Sequence, residues 1–231
     1  MRIGLLTTSF PRTPQDCAGS FVLGFARALI ARGAHVEVLA PEPREGNAPM
    51  REPGLDVRHV RYLWPRSLQR TFYAAGVPDN LRRDPLAWLG LLPFTLALAR
   101  QTQIASERWD AVVSHWALPC ALVAARAGRT KPHLAVLHSA DVHALCRLPN
   151  RAYWARRIAR GANGMWFVTR AHRDRFLELL PTGEREPARS RTCVAPMGIE
   201  LPEITPGDRE RARRDLALTR FSVLALGRLV P

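Results

Sequence analysis

Four stretches of this sequence gather side chains able to hold a phosphate, a sugar ring or a proton, and each follows an apolar run. The first, TTSFPRTPQDCAGSF (7–21), leads through Gly19 and Ser20 into a helical pattern. A glycine just before a helix lets an anion reach backbone N–H groups at the positive end of the helix dipole, so Gly19 and Ser20 are candidate phosphate contacts. The spacing is not G-x-G-x-x-G, which disfavours a dinucleotide, and a turn in a plain surface loop uses the same glycine. The second, VVSHWALP (112–119), ends a strand-like run on His115 and Trp116. An indole face for stacking beside an imidazole for hydrogen bonding suits a sugar, although such a pair also serves packing. The third, LAVLHSADVHAL (134–145), places His138, Asp141 and His143 at the close of an apolar run. Buried without partners these groups would be costly, so they are expected to face a cleft, a satisfied structural histidine being the competing reading. Their spacing matches no H-x-x-x-H or H-E-x-x-H arrangement, and no metal is expected. The fourth is the closing GRLVP (227–231), where Arg228 could fork onto phosphate oxygens.

The elements that must position these groups alternate in the manner of a parallel α/β sheet. Strands are expected at 3–7, 35–40, 57–61, 111–115, 134–138, 164–168, 192–195 and 221–226, with helix-length segments between them. Val22, Phe25, Ala26 and Leu29 recur at helical spacing, Ser20 fitting an N-cap and Gly33 a C-terminal stop. Further helices are expected at 119–126, 153–160 and 169–180. The segment 62–108 breaks the alternation and reads as an inserted, partly helical excursion. After residue 195, Pro196, Pro202, Pro206 and Gly207 mark a linker. Within it TPGDRERARRDL reads as a surface helix with Thr205 as N-cap, Pro206 at the first position and Asp208 completing the box. In open parallel sheets ligands collect at the carboxyl ends of the strands, which is where the first three stretches fall.

Composition narrows the function classes. The 231 residues are 47% hydrophobic, enough for a full core. The formal charge of +14 is almost wholly arginine, Lys131 being the only lysine, and the arginines are scattered. A nucleic-acid partner would call for a clustered basic face with aromatic platforms, so none is expected. Cys17, Cys120, Cys146 and Cys193 form no C-x-x-C pair and read as reduced, mostly buried thiols of a cytoplasmic protein. The opening MRIGLLTTSF reads as a first strand rather than a signal peptide, and the apolar run 86–99 falls short of the roughly 20 residues that span a bilayer.

Taken in order, these pieces resemble the N-terminal half of the retaining GT-B glycosyltransferases, family 4 in particular. The resemblance is carried by SFPR and the glycine-started helix, ARGAHVEVLAP, WDAVVSHWALP, LAVLHSAD, FVTRAHRDRF, VAPMGIE and VLALGRLVP. It implies a Rossmann-like domain over 1–195 with helices on both faces of the sheet, a linker and surface helix over 196–219, and the first strand of a donor-binding domain over 220–231. It implies sugar transfer from a nucleotide-sugar donor to a glycan or lipid-linked acceptor in bacterial polysaccharide biosynthesis, with the nucleotide sugar as co-substrate and no cofactor. Gly19 matches the glycine that approaches the donor phosphate, though Ala18 stands where many members have a second glycine. His138 matches the histidine beside the transferring sugar, Asp141 the polar residue after it, and Arg228 the arginine that neutralises the pyrophosphate. The stretch YLWPRSLQRTFYAAGVPDNLRRDPLAW (62–88) resembles the variable acceptor-side insert, where acceptor contacts sit, and its own arginines and tryptophans make a peripheral membrane contact a further expectation.

The lysine that follows that arginine in the family has no counterpart in these residues, and the resemblance implies that they reach only the first strand of the second domain. The expectation is therefore a shortened half that catalyses poorly alone, with a non-catalytic acceptor-binding module served by a separate donor subunit as the alternative.

Overall fold

A computed structural model describes residues 1–13, 15–44, 50–73, 76–127, 130–198 and 203–223. It divides into a large unit, Met1–Gly198, and a small one, Ile199–Pro231.

The large unit is built on one eight-stranded sheet. In chain order its strands are β1 (Arg2–Leu6), β2 (His35–Pro41), β3 (Arg51–Glu52), β4 (Leu55–Val60), β5 (Ala111–His115), β6 (His133–Leu137), β7 (Gly164–Phe167) and β8 (Thr192–Val194). They lie side by side in the order β3-β4-β2-β1-β5-β6-β7-β8. Every pairing is parallel except that of the short β3 with β4. The order reverses between β1 and β5, whose register sets Leu5 beside Val113. That reversal opens a crevice outside the carboxyl ends of these two strands, the place where open α/β sheets hold ligands. All seven strands expected between residues 3 and 195 are present, because strands buried on both faces read as near-continuous apolar runs.

Successive residues of a strand point to opposite faces, and the core divides accordingly. Leu5, Val36, Val38, Leu55 and Val57 pack with Val22, Leu23 and Ala26 of α1 (Ser20–Ile30). Leu6, Leu39, Val60 and Val112 face the other way, onto Phe94, Leu98 and Ala105 of α3 (Leu91–Ser106) and Val123 and Ala124 of α4 (Leu122–Ala127). A short α2 (Val77–Arg83) precedes α3. At the far side of the sheet, α5 (Ser139–Arg147), α6 (Arg151–Gly161), α7 (Arg170–Glu178) and α8 (Thr182–Arg189) bury Leu137, Met165 and Phe167.

Several expectations change. The segment 62–108 is not one excursion: α3 is the crossover helix between β4 and β5, with Phe94 and Leu98 fully buried against the sheet. Gly19, not Ser20, caps α1, and Ser20 is its first residue. In the small unit α9 (Asp208–Asp215) begins after Gly207 rather than at Thr205. Half of the expected capping box survives there, since the Asp208 carboxylate accepts from the Thr205 N–H at 2.6 Å. Phe221 and Val223 are 93% and 83% exposed and stand outside any strand among the described residues; the rest of the strand expected at 221–226 lies outside the described residues. Of the four free thiols Cys120 is buried but Cys17 and Cys193 are exposed, one in the loop before α1 and the other on the outermost strand. No helix among the described residues is long and apolar enough to cross a membrane.

Candidate functional site

Three loops converge on the crevice. The loop after β1 is folded tightly on itself. Thr7 Oγ1 donates to the Ser9 carbonyl at 2.8 Å and accepts from the Ser9 N–H, while the Asp16 carboxylate pairs with Arg12 at 2.5 Å and accepts from the Ala18 N–H at 3.0 Å. Burial pushes the Asp16 carboxyl up, but the bonds from Arg12 and Ala18 outweigh it and hold the group below its ordinary range. Arg12 also lies over the Tyr73 ring, 4.8 Å from its centre. Gly19 then turns the chain into α1 with φ 69°, and a Cβ there would stand 2.4 Å from the Ser9 carbonyl oxygen. Only glycine fits this turn. Gly19 is buried and Ser20 exposed at the start of the helix.

The loops after β5 and β6 supply a cluster of rings. The His115 and His138 rings stack 5.4 Å apart at 19°, and His115 Nδ1 lies 3.2 Å from His138 Nε2. Trp116 sits 5.0 Å from His138, and Phe21, from the first turn of α1, lies 5.1 Å from His138 and 5.8 Å from Trp116. Phe25 meets His115 edge-on at 5.3 Å. Burial drives the His138 pKa down to about 4, and burial with the neighbouring His138 drives that of His115 well below its ordinary value. Both rings are therefore neutral at neutral pH.

Their protons follow from the bonding pattern. His115 Nε2 is buried with no partner among the described residues. An unpaired lone pair costs less than an unpaired N–H, so the assigned tautomer of His115 carries its proton on Nδ1 and donates it to His138 Nε2. The proton of His138 is then on Nδ1, a donor without an acceptor among the described residues. A half-buried, neutral imidazole of this kind can donate a hydrogen bond to a ligand oxygen but does not serve as a cation.

Asp141 holds the arrangement together. It lies in the first turn of α5, 7% exposed, and its carboxylate accepts from the Ala117 N–H at 2.7 Å, from the Val142 N–H at 2.9 Å and from the backbone of His138. The loop after β5 is thereby tied to the helix after β6. Burial raises the Asp141 pKa to about 7 against the pull of these backbone donors. Just before the tie Trp116 adopts φ 70°, ψ 140°, a region that costs a non-glycine residue roughly 1–3 kcal/mol. Its own N–H bonds the Val136 carbonyl at 3.0 Å, so the strain falls between two fixed points, the β6 ladder and Asp141.

The crevice thus gathers the expected Gly19, Ser20, His115, Trp116 and His138 along one edge of the sheet. Asp141 does not face a cleft as its sequence context suggests; opening a helix, it spends its oxygens on backbone donors. Arg228 lies outside the described residues. Phe21 is not among the residues expected from the sequence, and only the fold sets it against His138. His143 does not join the ring cluster but meets His172 of α7 edge-on at 5.3 Å. Among the described residues no three His, Cys, Asp or Glu side chains group closely enough to hold a metal ion. A cavity of about 210 Å³ at the opposite, amino edge is lined by Arg2, His35, Glu37, Asp56, Arg58 and Arg108. Glu37 is answered there by Arg58 at 2.7 Å, by Arg108 Nε at 2.8 Å and by Trp109 Nε1 at 2.8 Å, and Asp56 by His35 at 2.8 Å, so its acids are already satisfied.

A Rossmann-like sheet with helices on both faces, its switch point lined by a glycine-capped helix and a histidine–tryptophan wall, is the N-terminal half of a GT-B glycosyltransferase fold. Residues 18–190 match the glycosyl transferase 4-like domain family, and the chain belongs to that family. It is 29% identical to D-inositol 3-phosphate glycosyltransferases of Geodermatophilus obscurus and Acidothermus cellulolyticus, over 97% and 91% of this chain and 51% and 46% of theirs. The chain spans about half the length of these curated relatives. Among solved structures it resembles the sucrose-phosphate synthase of Thermosynechococcus elongatus, with TM-score 0.58 and 15% identity over 94% of this chain and 53% of that one. It also resembles Anabaena HepE, solved in complex with UDP-glucose, with TM-score 0.53 and 17% identity over 94% of this chain and 50% of that one.

Proposed function

We propose that this chain forms the acceptor-side half of a retaining glycosyltransferase that moves a sugar from a nucleotide-sugar donor to a glycan or lipid-linked acceptor. The observation that carries this reading is the convergence of the Gly19 turn, the Trp116 ring and the neutral His138 at one crevice. In it, Gly19 and Ser20 approach the donor phosphates, the flat faces of Trp116 and Phe21 line the sugar, and His138 Nδ1–H donates to a sugar hydroxyl. Asp141 positions this wall through the backbone of the Trp116–Ala117 turn rather than touching substrate. Arg228 would supply the cation for the leaving diphosphate, where developing negative charge needs preorganised positive groups.

One experiment addresses the reading directly. A chimera joins residues 1–198 of this chain to the complementary half of the Acidothermus relative and is assayed for sugar transfer from nucleotide sugars. Transfer that falls at least about tenfold on His138→Ala, the scale of one lost directed hydrogen bond, is the expected result. A folded chimera whose transfer is indifferent to His138→Ala would overturn the assignment. The 231-residue chain by itself is expected to give no heat of nucleotide-sugar binding in calorimetry, and a micromolar affinity would show that the donor needs no second half.

A further inference from the structure

The surface around the start of α3 carries a feature that sugar transfer does not use. Residues 85–106 form one helical run, a 3-10 turn over Pro85–Gly90 continuing into α3. Its inner side buries Ala87, Gly90, Phe94, Leu98 and Ala105. Its outer side is apolar as well: Leu86, Trp88, Leu89, Leu92 and Leu96 are 44%, 59%, 55%, 66% and 62% exposed. Leu89, Leu92 and Leu96 follow one another at helical spacing, which puts them on one stripe. The outer side of a helix in a globular domain is ordinarily polar, and five large exposed apolar residues within 86–96 make a patch rather than scatter. Trp88 needs no water for its indole, since its Nε1–H donates to the Leu81 carbonyl at 2.9 Å while the ring stays outside.

Charge selects the occupant. Residues 62–106 hold five arginines and two aspartates. Both aspartates are engaged by arginine, Asp84 by Arg70 at 3.1 Å and Asp79 by Arg82 at 3.8 Å. Arg83 and Arg100 are exposed and have no ion-pair partner among the described residues. Apolar side chains and an exposed tryptophan flanked by unpaired arginines match the boundary of an anionic bilayer, where rings and leucines sit below headgroups that draw the arginines.

We propose that this face, centred on Trp88, Leu92 and Leu96, docks on an anionic lipid surface. Because β4 ends at the carboxyl edge of the sheet and β5 begins at the amino edge, α3 enters from the same edge as the ring cluster. Docking through its first turns therefore brings that edge toward the headgroups. The surface is separate from the ring cluster, and its test involves no sugar transfer.

The test is sedimentation of the 231-residue chain with vesicles of phosphatidylcholine alone or mixed with phosphatidylglycerol, in low salt. Binding is expected only to the anionic vesicles, weakened by about tenfold or more in a Leu92→Ser, Leu96→Ser double variant, since each leucine loses its apolar burial. Tyr153→Ser, which removes an exposed ring elsewhere, is expected to bind as the parent does. Brominated lipid is expected to quench a component of tryptophan emission that Trp88→Phe lacks, a readout that does not depend on the serine variants folding. Failure to bind anionic vesicles in low salt overturns the proposal. So does binding indifferent to both the serine pair and Trp88→Phe, which would be charge attraction over the whole surface, or a lipid-free dimer that the serine pair dissociates.

Discussion

Replacing Asp141 with Asn measures which of two opposing forces governs the carboxyl that ties the site together. Backbone N–H groups from Ala117, Val142 and His138, with the positive end of the α5 dipole, favour the carboxylate. Burial disfavours it and prevails, lifting the pKa from 3.8 to about 7. A carboxyl whose folded pKa is raised binds its proton more tightly when folded. Wild type must therefore lose stability relative to Asp141→Asn as pH climbs from about 4 to 7, and stay lower above that. About three units at roughly 1.36 kcal/mol each give about 4 kcal/mol in all. The neighbouring His138, with its folded pKa lowered to about 4, and the Cys120 thiol, raised far out of range, are common to both proteins and cancel in the difference. Urea unfolding of both proteins between pH 5 and 8 thus isolates Asp141, and the stability difference should fall by about 3 kcal/mol over that interval. A difference that is flat or rises with pH would refute the reasoning, because the backbone donors would then match or outweigh burial.

Three further outcomes follow from the same geometry. Gly19→Ala should destabilise the large unit by about 2 kcal/mol or more, from the positive φ and the contact with the Ser9 carbonyl, and an unchanged urea midpoint would contradict the role given to that turn. Burial alone would raise the Glu37 pKa, but bonds from Arg108 and Trp109 hold it below its ordinary value. Its stabilisation is present above about pH 4.5 and is lost as pH falls through the lowered folded value. Glu37→Gln, leaving two guanidinium groups short of a counter-charge, should cost about 3 kcal/mol near neutrality, and a loss of stability that does not shrink in acid would count against the ion pairs. With Ellman's reagent Cys17 and Cys193 should react in the folded protein and Cys120 only on unfolding; protection of all four thiols would contradict the exposures found.

What the sequence revealed and what it hid divide along physical lines. The parallel strands were legible because burial on both faces leaves runs such as VVSH and LAVL with no polar alternation. The start of α5 was not, because Ser139, Asp141 and His143 look like loop residues when the carboxylate that makes the turn helical is one of them. Asp141 reads as a cleft residue for the same reason, since only the fold reveals the Ala117 N–H that occupies it. The crossover α3 was masked by its own outer face: leucines on both sides erase the stripe that marks an amphipathic helix, so 62–108 looked like one irregular segment. Phe21 belongs to the site through tertiary contact alone, and no spacing along the chain marks it.

The two edges of the sheet are satisfied very differently, and the contrast is the strongest physical argument for where function lies. At the amino edge a buried glutamate is matched by two arginines and an indole N–H, Asp110 accepts from the Arg2 N–H at 2.7 Å, and a Cβ on Gly4 would stand 2.2 Å from the Trp109 ring. The buried glutamate and both aspartates there are all answered among the described residues. At the carboxyl edge Trp116 is held in a strained conformation, His115 keeps an unanswered nitrogen, and His138 retains a donor with no acceptor among the described residues. Strain and unmet hydrogen bonding cost stability, and a fold that satisfies the polar groups of one edge in this way has the means to satisfy those of the other. The rings at the carboxyl edge are instead stacked, neutral and fixed through Asp141, so the unmet donor sits in a preset geometry. Under the proposed function, a sugar hydroxyl reaching that donor would recover the missing bond with no rearrangement of the wall.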